Sequence, residues 1–291
     1  MKEVETRHGP GLIGLIMSSE VGRYQYTNMA LDKLEVPRGT QLEPIWSCNP
    51  ARNCNLLIEE MLKHKQYQWL WFMGDDHMFE PDCLLRLLNH DVDCVMPITP
   101  RRSFPYDPVI WRTHHPETGD NRWYTWNDLE KFKDRLVPVA AGGQAGLLVK
   151  RRVFESMEAP WFHVGWLYKD DLQEDIFFTR RCNERGYPVY ADPMNIMGHI
   201  ITSIVFPKWT PDGQLGIAMN LNGHKQFIIP PGYTALEGPD GVSLCKIPQD
   251  WINKPDLINQ RAAGTPFSAL LPMGSPDEAR PARVHNPLVS A

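Results

Sequence analysis

No apolar run in the chain approaches the roughly 18 residues that cross a bilayer, so no transmembrane segment is expected. No Cys-x-x-Cys pair occurs either. The cysteines stand singly at positions 48, 54, 83, 94, 182 and 245, which speaks against zinc-ribbon and thioredoxin-type sites. Several lie in apolar periodic segments, where a thiol packs as a small hydrophobe, and reduced, mostly structural thiols are expected. Basic charge is in deficit: 30 Lys and Arg stand against 35 Asp and Glu, a net charge of −5. That excludes a wholly basic nucleic-acid coat but not a local basic patch. The opening, Met1 to His8, lacks the apolar stretch of a secretory leader, and a soluble, cytoplasmic protein is the expectation. No internal repeat is visible.

What is present is ordinary globular chemistry. With 291 residues, 42% of them hydrophobic, the chain can build a sizeable core without disulfides or a structural metal. Gly11 to Met17 reads as a buried strand, residues 22–34 as a short helix and 42–47 as a second strand. Asn49-Pro50-Ala51 places asparagine at an N-cap and proline at the first helical position. Leu57, Met61 and Leu62 then recur at helical spacing to about Lys65. Gln68 to Met73 predicts a strand, Pro81 to Leu88 a helix and Val92 to Met96 another strand. This βαβα order predicts an α/β fold with a mostly parallel central sheet flanked by helices. Residues 98–135, with Arg122 to Trp126, read as a small antiparallel excursion. Leu136 to Val149 returns to strand character, broken at Gly142-Gly143. Arg152 to Met157 reads as a short helix, and Asp171 to Arg185 as a longer one stopped by Gly186. Tyr187 to Tyr190 and Ile196 to Ile204 are further strands. Beyond about Pro230 the periodicity fades, apart from a helix near Trp251 to Gln260. The expected division is therefore a catalytic domain over 1–229 and an irregular, partly disordered Pro/Gly-rich extension over 230–291.

Three places carry chemistry. Trp71-Phe72-Met73-Gly74-Asp75-Asp76-His77 runs from an oily strand straight into two carboxylates and an imidazole. Ligands of open α/β sheets bind at the carboxyl ends of strands, and these side chains can hold Mn²⁺ or Mg²⁺. A solvated acidic turn is the plain alternative. Glu174-Asp175 lie at the opening of a helix. Asp171 with Glu174 reads as a capping box, which leaves Asp175 unexplained and places it where a general base would be held rigidly. His199 sits in the apolar run Ile196 to Ile201, as a core histidine or as a metal ligand.

The order of these pieces resembles the GT-A glycosyltransferases, in particular the family-2-like enzymes. Ala51-Arg52-Asn53 opens a helix before the acidic strand. Gly74-Asp75-Asp76-His77 stands where that family carries its Asp-x-Asp signature, although Gly74 replaces the first aspartate in one register and Asp75-Asp76-His77 reads as Asp-x-His in the other. Gly142 to Val149, followed by Arg151 to Phe154, is similar to the segment lining the sugar and acceptor side. Glu174-Asp175 and His199 are similar to the acceptor-side acidic pair and the distal metal histidine. The resemblance covers roughly residues 10–205.

The resemblance implies a Rossmann-like GT-A domain, its nucleotide-sugar half about 1–100 and its acceptor half about 101–229. It implies a nucleotide-diphosphate sugar as donor, a UDP-sugar foremost. Ser18, Ser19, Arg52, Asn53, Asp75, Gly143 and Gln144 would contact the donor. Asp76, His77 and His199 would hold Mn²⁺ or Mg²⁺, with Asp75 nearer the ribose or the metal. Asp175, beside Glu174, would take the proton of the acceptor hydroxyl in an inverting displacement. The acceptor is open among a saccharide, a protein side chain and a hydroxymethylated DNA base; lipid-linked acceptors are disfavoured. Trp161, Phe162 and Trp166 are read either as stacking platforms or as core. The pairs Arg101-Arg102, Arg151-Arg152 and Arg180-Arg181 are read as solvated charge unless they gather at an acceptor groove. A metal-dependent phosphohydrolase and a non-catalytic nucleotide-sugar-binding module are the alternatives.

Overall fold

The computed structural model describes residues 1–17, 25–46, 49–102, 106–115, 118, 120–133, 135–163 and 173–201, together with five backbone strands between 203 and 246. The chain forms two compact units, Met1–Ile201 and Thr202–Ala291. They part earlier in the chain than the 229/230 boundary expected from composition.

The first unit is a mixed α/β fold around a seven-stranded sheet. In chain order its strands are β1 (Leu12–Ile16), β2 (Gln41–Ile45), β3 (Trp69–Gly74), β4 (Cys94–Ile98), β5 (Val137–Val139), β6 (Leu148–Lys150) and β7 (Val189–Ile196). Across the sheet the order is β5-β7-β4-β6-β3-β1-β2. Strands β1, β2, β3, β4 and β7 run one way; β6, wedged antiparallel between β3 and β4, and edge strand β5 run the other. The helices are α1 (Gln25–Lys33), α2 (Pro50–Lys63), α3 (Cys83–Asn89), α4 (Trp126–Glu130), α5 (Arg151–Glu155) and α6 (Glu174–Glu184).

Both faces of the sheet are covered, and β3 shows why its sequence is apolar without a break. Successive side chains of a strand point to opposite faces. Leu70 and Phe72 enter one cluster with Leu57, Ile58 and Met61 of α2 and with Phe154, Phe162 and Phe178. Trp69, Trp71 and Met73 enter the other with Leu31 of α1 and Leu84, Leu87 and Leu88 of α3. Trp161 and Phe162 are buried in this packing, the Trp161 indole donating to the Phe154 carbonyl at 3.0 Å. The stacking-platform option for these two is thereby corrected; Trp166 lies outside the described residues. Free cysteines 54, 83, 94 and 182 are all buried.

Local chemistry sets the helix ends. The Asn49 side chain accepts from the Arg52 amide at 3.0 Å with Pro50 in the first turn, the arrangement the sequence called for. Helix α6 begins at Glu174, later than Asp171, with Gln173 at its N-cap making no side-chain cap bond. The expected capping box is therefore not what starts it, and Asp171 lies outside the described residues. At its other end Gly186 takes φ +80°, which a side chain would strain. The antiparallel excursion is the hairpin Ile110–His115 with Asp120–Trp123. Helix α4 was not anticipated, although Thr125 and Asp128 form a reciprocal capping box at its start.

In the second unit Ser203–Trp209, Leu215–Leu221 and Lys225–Ile229 form an antiparallel three-stranded sheet. Tyr233–Gly238 and Gly241–Lys246 form a hairpin. That hairpin lies past Pro230, where no strand was expected; the helix expected near Trp251 to Gln260 lies outside the described residues. No described helix is long and apolar enough to cross a membrane.

Candidate functional site

Three parallel strands deliver their carboxyl ends to one place. β3 ends at Gly74, β4 at Ile98 and β7 at Ile196, and the Met197 amide donates to the Ile98 carbonyl at 2.9 Å. Past Gly74 the chain turns through Asp75 and Asp76. The Asp75 amide donates to the Ile16 carbonyl at 3.2 Å, and the buried Thr27 hydroxyl donates to the Asp75 carbonyl at 2.7 Å. His77–Met78 then pairs antiparallel with Gly198–His199, placing His199 directly opposite His77. The Ile200 amide adds a bond to the Asp76 carbonyl at 2.8 Å. This two-residue ladder is the device that joins groups far apart in the chain.

Its product is a cluster of Asp76, His77 and His199, whose ligand atoms all lie within 4.8 Å of one another. His199 Nδ1 donates to the Pro100 carbonyl at 2.9 Å, because a carbonyl can only accept; its Nε2 faces Asp76 Oδ2 at 3.2 Å. A histidine whose far nitrogen is committed to a carbonyl is oriented as a metal ligand. His77 stacks on His199 with ring centroids 4.6 Å apart. Its Nδ1 stands 2.8 Å from Asp76 Oδ1, at ion-pair distance, yet neither buried ring nitrogen has hydrogen-bond geometry to a partner. A buried imidazole in that condition is costly unless something meets its lone pair, and a divalent cation fits the need. Burial alone would raise the Asp76 carboxyl. The hydrogen bond with His199, and the close approach and charge of both imidazoles, outweigh it and hold the group well below the ordinary carboxylate range.

Gly74 is part of this construction. A Cβ there would stand 2.8 Å from both Asp76 Oδ1 and His77 Nδ1. Any side chain at position 74 would thus push into the cluster, which gives the glycine there a physical reason. Gly74→Ala is expected to weaken Mn²⁺ binding at least about tenfold while circular dichroism stays unchanged, since the atoms met are side chains. Equal Mn²⁺ affinity in a titration would show that the cluster does not depend on this close approach.

The opposite wall is built by α6 and the Gly142-Gly143 segment. The Gly142 amide donates to the buried Thr179 hydroxyl at 3.1 Å, and the same hydroxyl approaches the Asp175 carbonyl at 2.9 Å. That pins the first turn of α6 against Gly143, whose added Cβ would lie 3.6 Å from Asp175 Oδ2. Asp175 Oδ1 accepts from the Ile176 amide at 2.7 Å. Even so, burial of the carboxyl, with the adjacent Glu174 charge, raises its pKa to about 7 against the pull of the backbone amides. The Cys54 thiol, donating to Gln144 Oε1 at 2.7 Å, is pushed up by burial and by the same two acids.

Both walls belong to one cavity of about 460 Å³. Asp75, Asp76, His77 and His199 line it together with Asn53, Gly143, Gln144, Glu174 and Asp175. Arg52 does not: it is exposed and lines a separate groove with Asn55 and His163. Ser18 and Ser19 lie outside the described residues. The arginine pairs do not gather. Arg151 caps the last carbonyls of α2, Arg152 pairs with Asp93, Arg180 pairs with Glu184, and Arg181 donates to the Pro160 and Glu158 carbonyls. Only Arg102 reaches the cavity, 3.2 Å from Asp76 Oδ2. The sequence carried no signal that would separate it from its neighbour. Thr179 was missed too, although a threonine four residues after Asp175 was the available cue.

No protein-family model and no curated protein matches the chain. Among solved structures it is similar to A197 from STIV, with a TM-score of 0.46 and 16% identity, over 70% of this chain and 92% of that one. It is also similar to GalNAc-T7, solved with UDP, GalNAc and Mn²⁺: TM-score 0.43, 10% identity, 65% of this chain and 43% of that one. A third is 4-diphosphocytidyl-2C-methyl-D-erythritol synthase from Anaerococcus prevotii DSM 20548, with TM-score 0.35 and 9% identity over 66% and 90%. At such scores these likenesses decide nothing about activity.

Proposed function

We propose that the chain is a divalent-cation-dependent glycosyltransferase that moves a sugar from a nucleotide-diphosphate donor to an acceptor hydroxyl with inversion. The observation that supports it is the pairing of two unlike walls in one cavity. One offers a carboxylate and two imidazoles as cation ligands; the other offers a carboxyl whose pKa of about 7 suits proton abstraction at neutral pH. Asp76, His77 and His199 would hold the cation, and two imidazole donors favour Mn²⁺ over Mg²⁺. When bound, the cation neutralises the diphosphate as a leaving group. Asp175 accepts the proton of the acceptor hydroxyl as its oxygen bonds to the anomeric carbon; the bond from that carbon to the phosphate oxygen breaks, and its electron pair leaves with the diphosphate. Asn53, Gly143 and Gln144 would seat the donor.

The test incubates the protein with a panel of nucleotide sugars and Mn²⁺, reading free nucleoside diphosphate with and without saccharide, protein and hydroxymethylated-DNA acceptors. Release from one donor, raised by one acceptor class and stopped by chelation, is the expected result. Release that ignores both chelator and sugar would sink the reading, and release no faster with any acceptor would favour a phosphohydrolase. Two histidines and a carboxylate also form the ligand set of non-haem iron oxygenases; dioxygen uptake with Fe²⁺ and no sugar transfer would favour that chemistry.

A further inference from the structure

Four carboxylates line the cavity, from Asp75, Asp76, Glu174 and Asp175, and among the described residues Arg102 is the one lysine or arginine that lines it. Its guanidinium stands 3.2 Å from Asp76 Oδ2, the same oxygen that His199 Nε2 approaches at 3.2 Å. The Arg102 side chain is 54% exposed and the Asp76 side chain 10%. The arginine thus reaches from the open rim to a buried ligand atom. Its neighbour cannot do this, because the Arg101 guanidinium lies 3.4 Å over the Trp123 ring and its amide is bonded to the Asp107 carbonyl. The Pro100 carbonyl just before the pair is held by His199.

We propose that Arg102 is an exchangeable counter-cation: it neutralises Asp76 when no metal is bound, and moves to the diphosphate when metal and donor arrive. This rests on reading the cavity as a cation and diphosphate site. A divalent cation on Asp76 takes over the charge that Arg102 now balances, and the two cations repel at that distance. Arg102 then lies at the cavity rim with its fork of donors free, and a guanidinium matches phosphate oxygens bidentately. The charge arithmetic gives the released arginine a task. A nucleotide-diphosphate sugar carries two negative charges, which one divalent cation balances, whereas the departing nucleoside diphosphate develops a third. Arg102 meets that third charge, so it serves the leaving group more than the intact donor.

The test measures Mn²⁺ binding to the nucleotide-free protein by electron paramagnetic resonance of free Mn²⁺. It then measures binding of UDP, GDP, CDP, ADP and dTDP in saturating Mn²⁺ by calorimetry, carrying forward the tightest. Arg102→Ala is expected to bind Mn²⁺ about three- to tenfold more tightly and the nucleoside diphosphate roughly ten- to a hundredfold more weakly, with a smaller loss for the matching nucleotide sugar. Arg102→Lys, which keeps the charge without the fork, should hold Mn²⁺ affinity near that of the unaltered protein and lose part of the diphosphate affinity. A merely structural arginine would not move the two affinities in opposite directions. Mn²⁺ affinity unchanged or weakened in Arg102→Ala, or diphosphate affinity unchanged, would overturn the exchange alone. Absence of Mn²⁺ or diphosphate binding by the unaltered protein would overturn the proposed function and the exchange with it.

Discussion

Asp175→Asn is expected to slow acceptor-dependent sugar transfer about 10²–10⁴-fold at pH 8, with donor and Mn²⁺ affinity unchanged. Asparagine keeps the shape of the side chain and its contact with the Ile176 amide, but it cannot take a proton. The pH profile carries the sign. A base works in its deprotonated form, so with a pKa of about 7 in the fold, kcat/KM of the unaltered protein should rise as pH climbs through 7 and level off above. The variant should have lost that limb. An asparagine protein that turns over normally, or keeps the same profile, would leave Asp175 without the role.

The same carboxyl predicts a stability effect of opposite direction. In the unfolded chain it ionises near its ordinary 3.8, and in the fold near 7. A raised pKa contributes stability that is fully present below the unfolded value and is lost as pH rises through the folded one. At pH 8 the folded protein holds a desolvated carboxylate next to Glu174, which asparagine relieves. Because the residue is only half-buried, the full pKa difference overstates the gain; about 1–2 kcal/mol, a Tm increase of several degrees, is expected at pH 8, falling away below about pH 4. A variant less stable at pH 8 would make Asp175 a structural anchor. Lower stability and faster catalysis in the aspartate form at pH 8 are two readings of one desolvated group.

How far this was legible in the sequence differs from residue to residue. Strand β3 and the N-cap of α2 could be read directly, since an unbroken apolar run and Asn49-Pro50 each have one local explanation. The acidic turn after β3 was legible for the same reason: it follows the oily strand without a spacer. What could not be read was the register that puts His199 opposite His77, because a two-residue ladder leaves no periodicity. The stack of Arg101 on Trp123, which leaves its neighbour to face the cavity, is likewise a long-range packing fact. The hairpin Tyr233–Lys246 is a different case. Its ends meet at Gly238 and Gly241, flanking Pro239-Asp240, which is recognisable turn chemistry between two runs of strand-formers. The side on which Arg52 falls was not legible either, because a residue at the start of a helix can face either way, and the packing of Asn53 inward turns Arg52 out toward a separate groove.

Asp76→Asn carries the other large effect. It should weaken Mn²⁺ binding at least about a hundredfold and lower sugar transfer about a thousandfold, because it removes the one anionic ligand from a set whose other members are neutral donors. Thermal unfolding separates loss of the ion from loss of the fold. For the unaltered protein, Mn²⁺ at a hundred times its Kd adds about 2.7 kcal/mol, several degrees in Tm. The asparagine variant should show the same far-ultraviolet dichroism and no Mn²⁺-dependent gain. His199→Ala should show an intermediate loss, since the turn at Asp76 is still held by the Thr27 hydroxyl on the Asp75 carbonyl. If Asp76→Asn still gained several degrees with Mn²⁺ while Asp75→Asn did not, the cation would belong to the neighbouring carboxylate. Arg102 would then be paired with an acid that serves the donor instead of the metal.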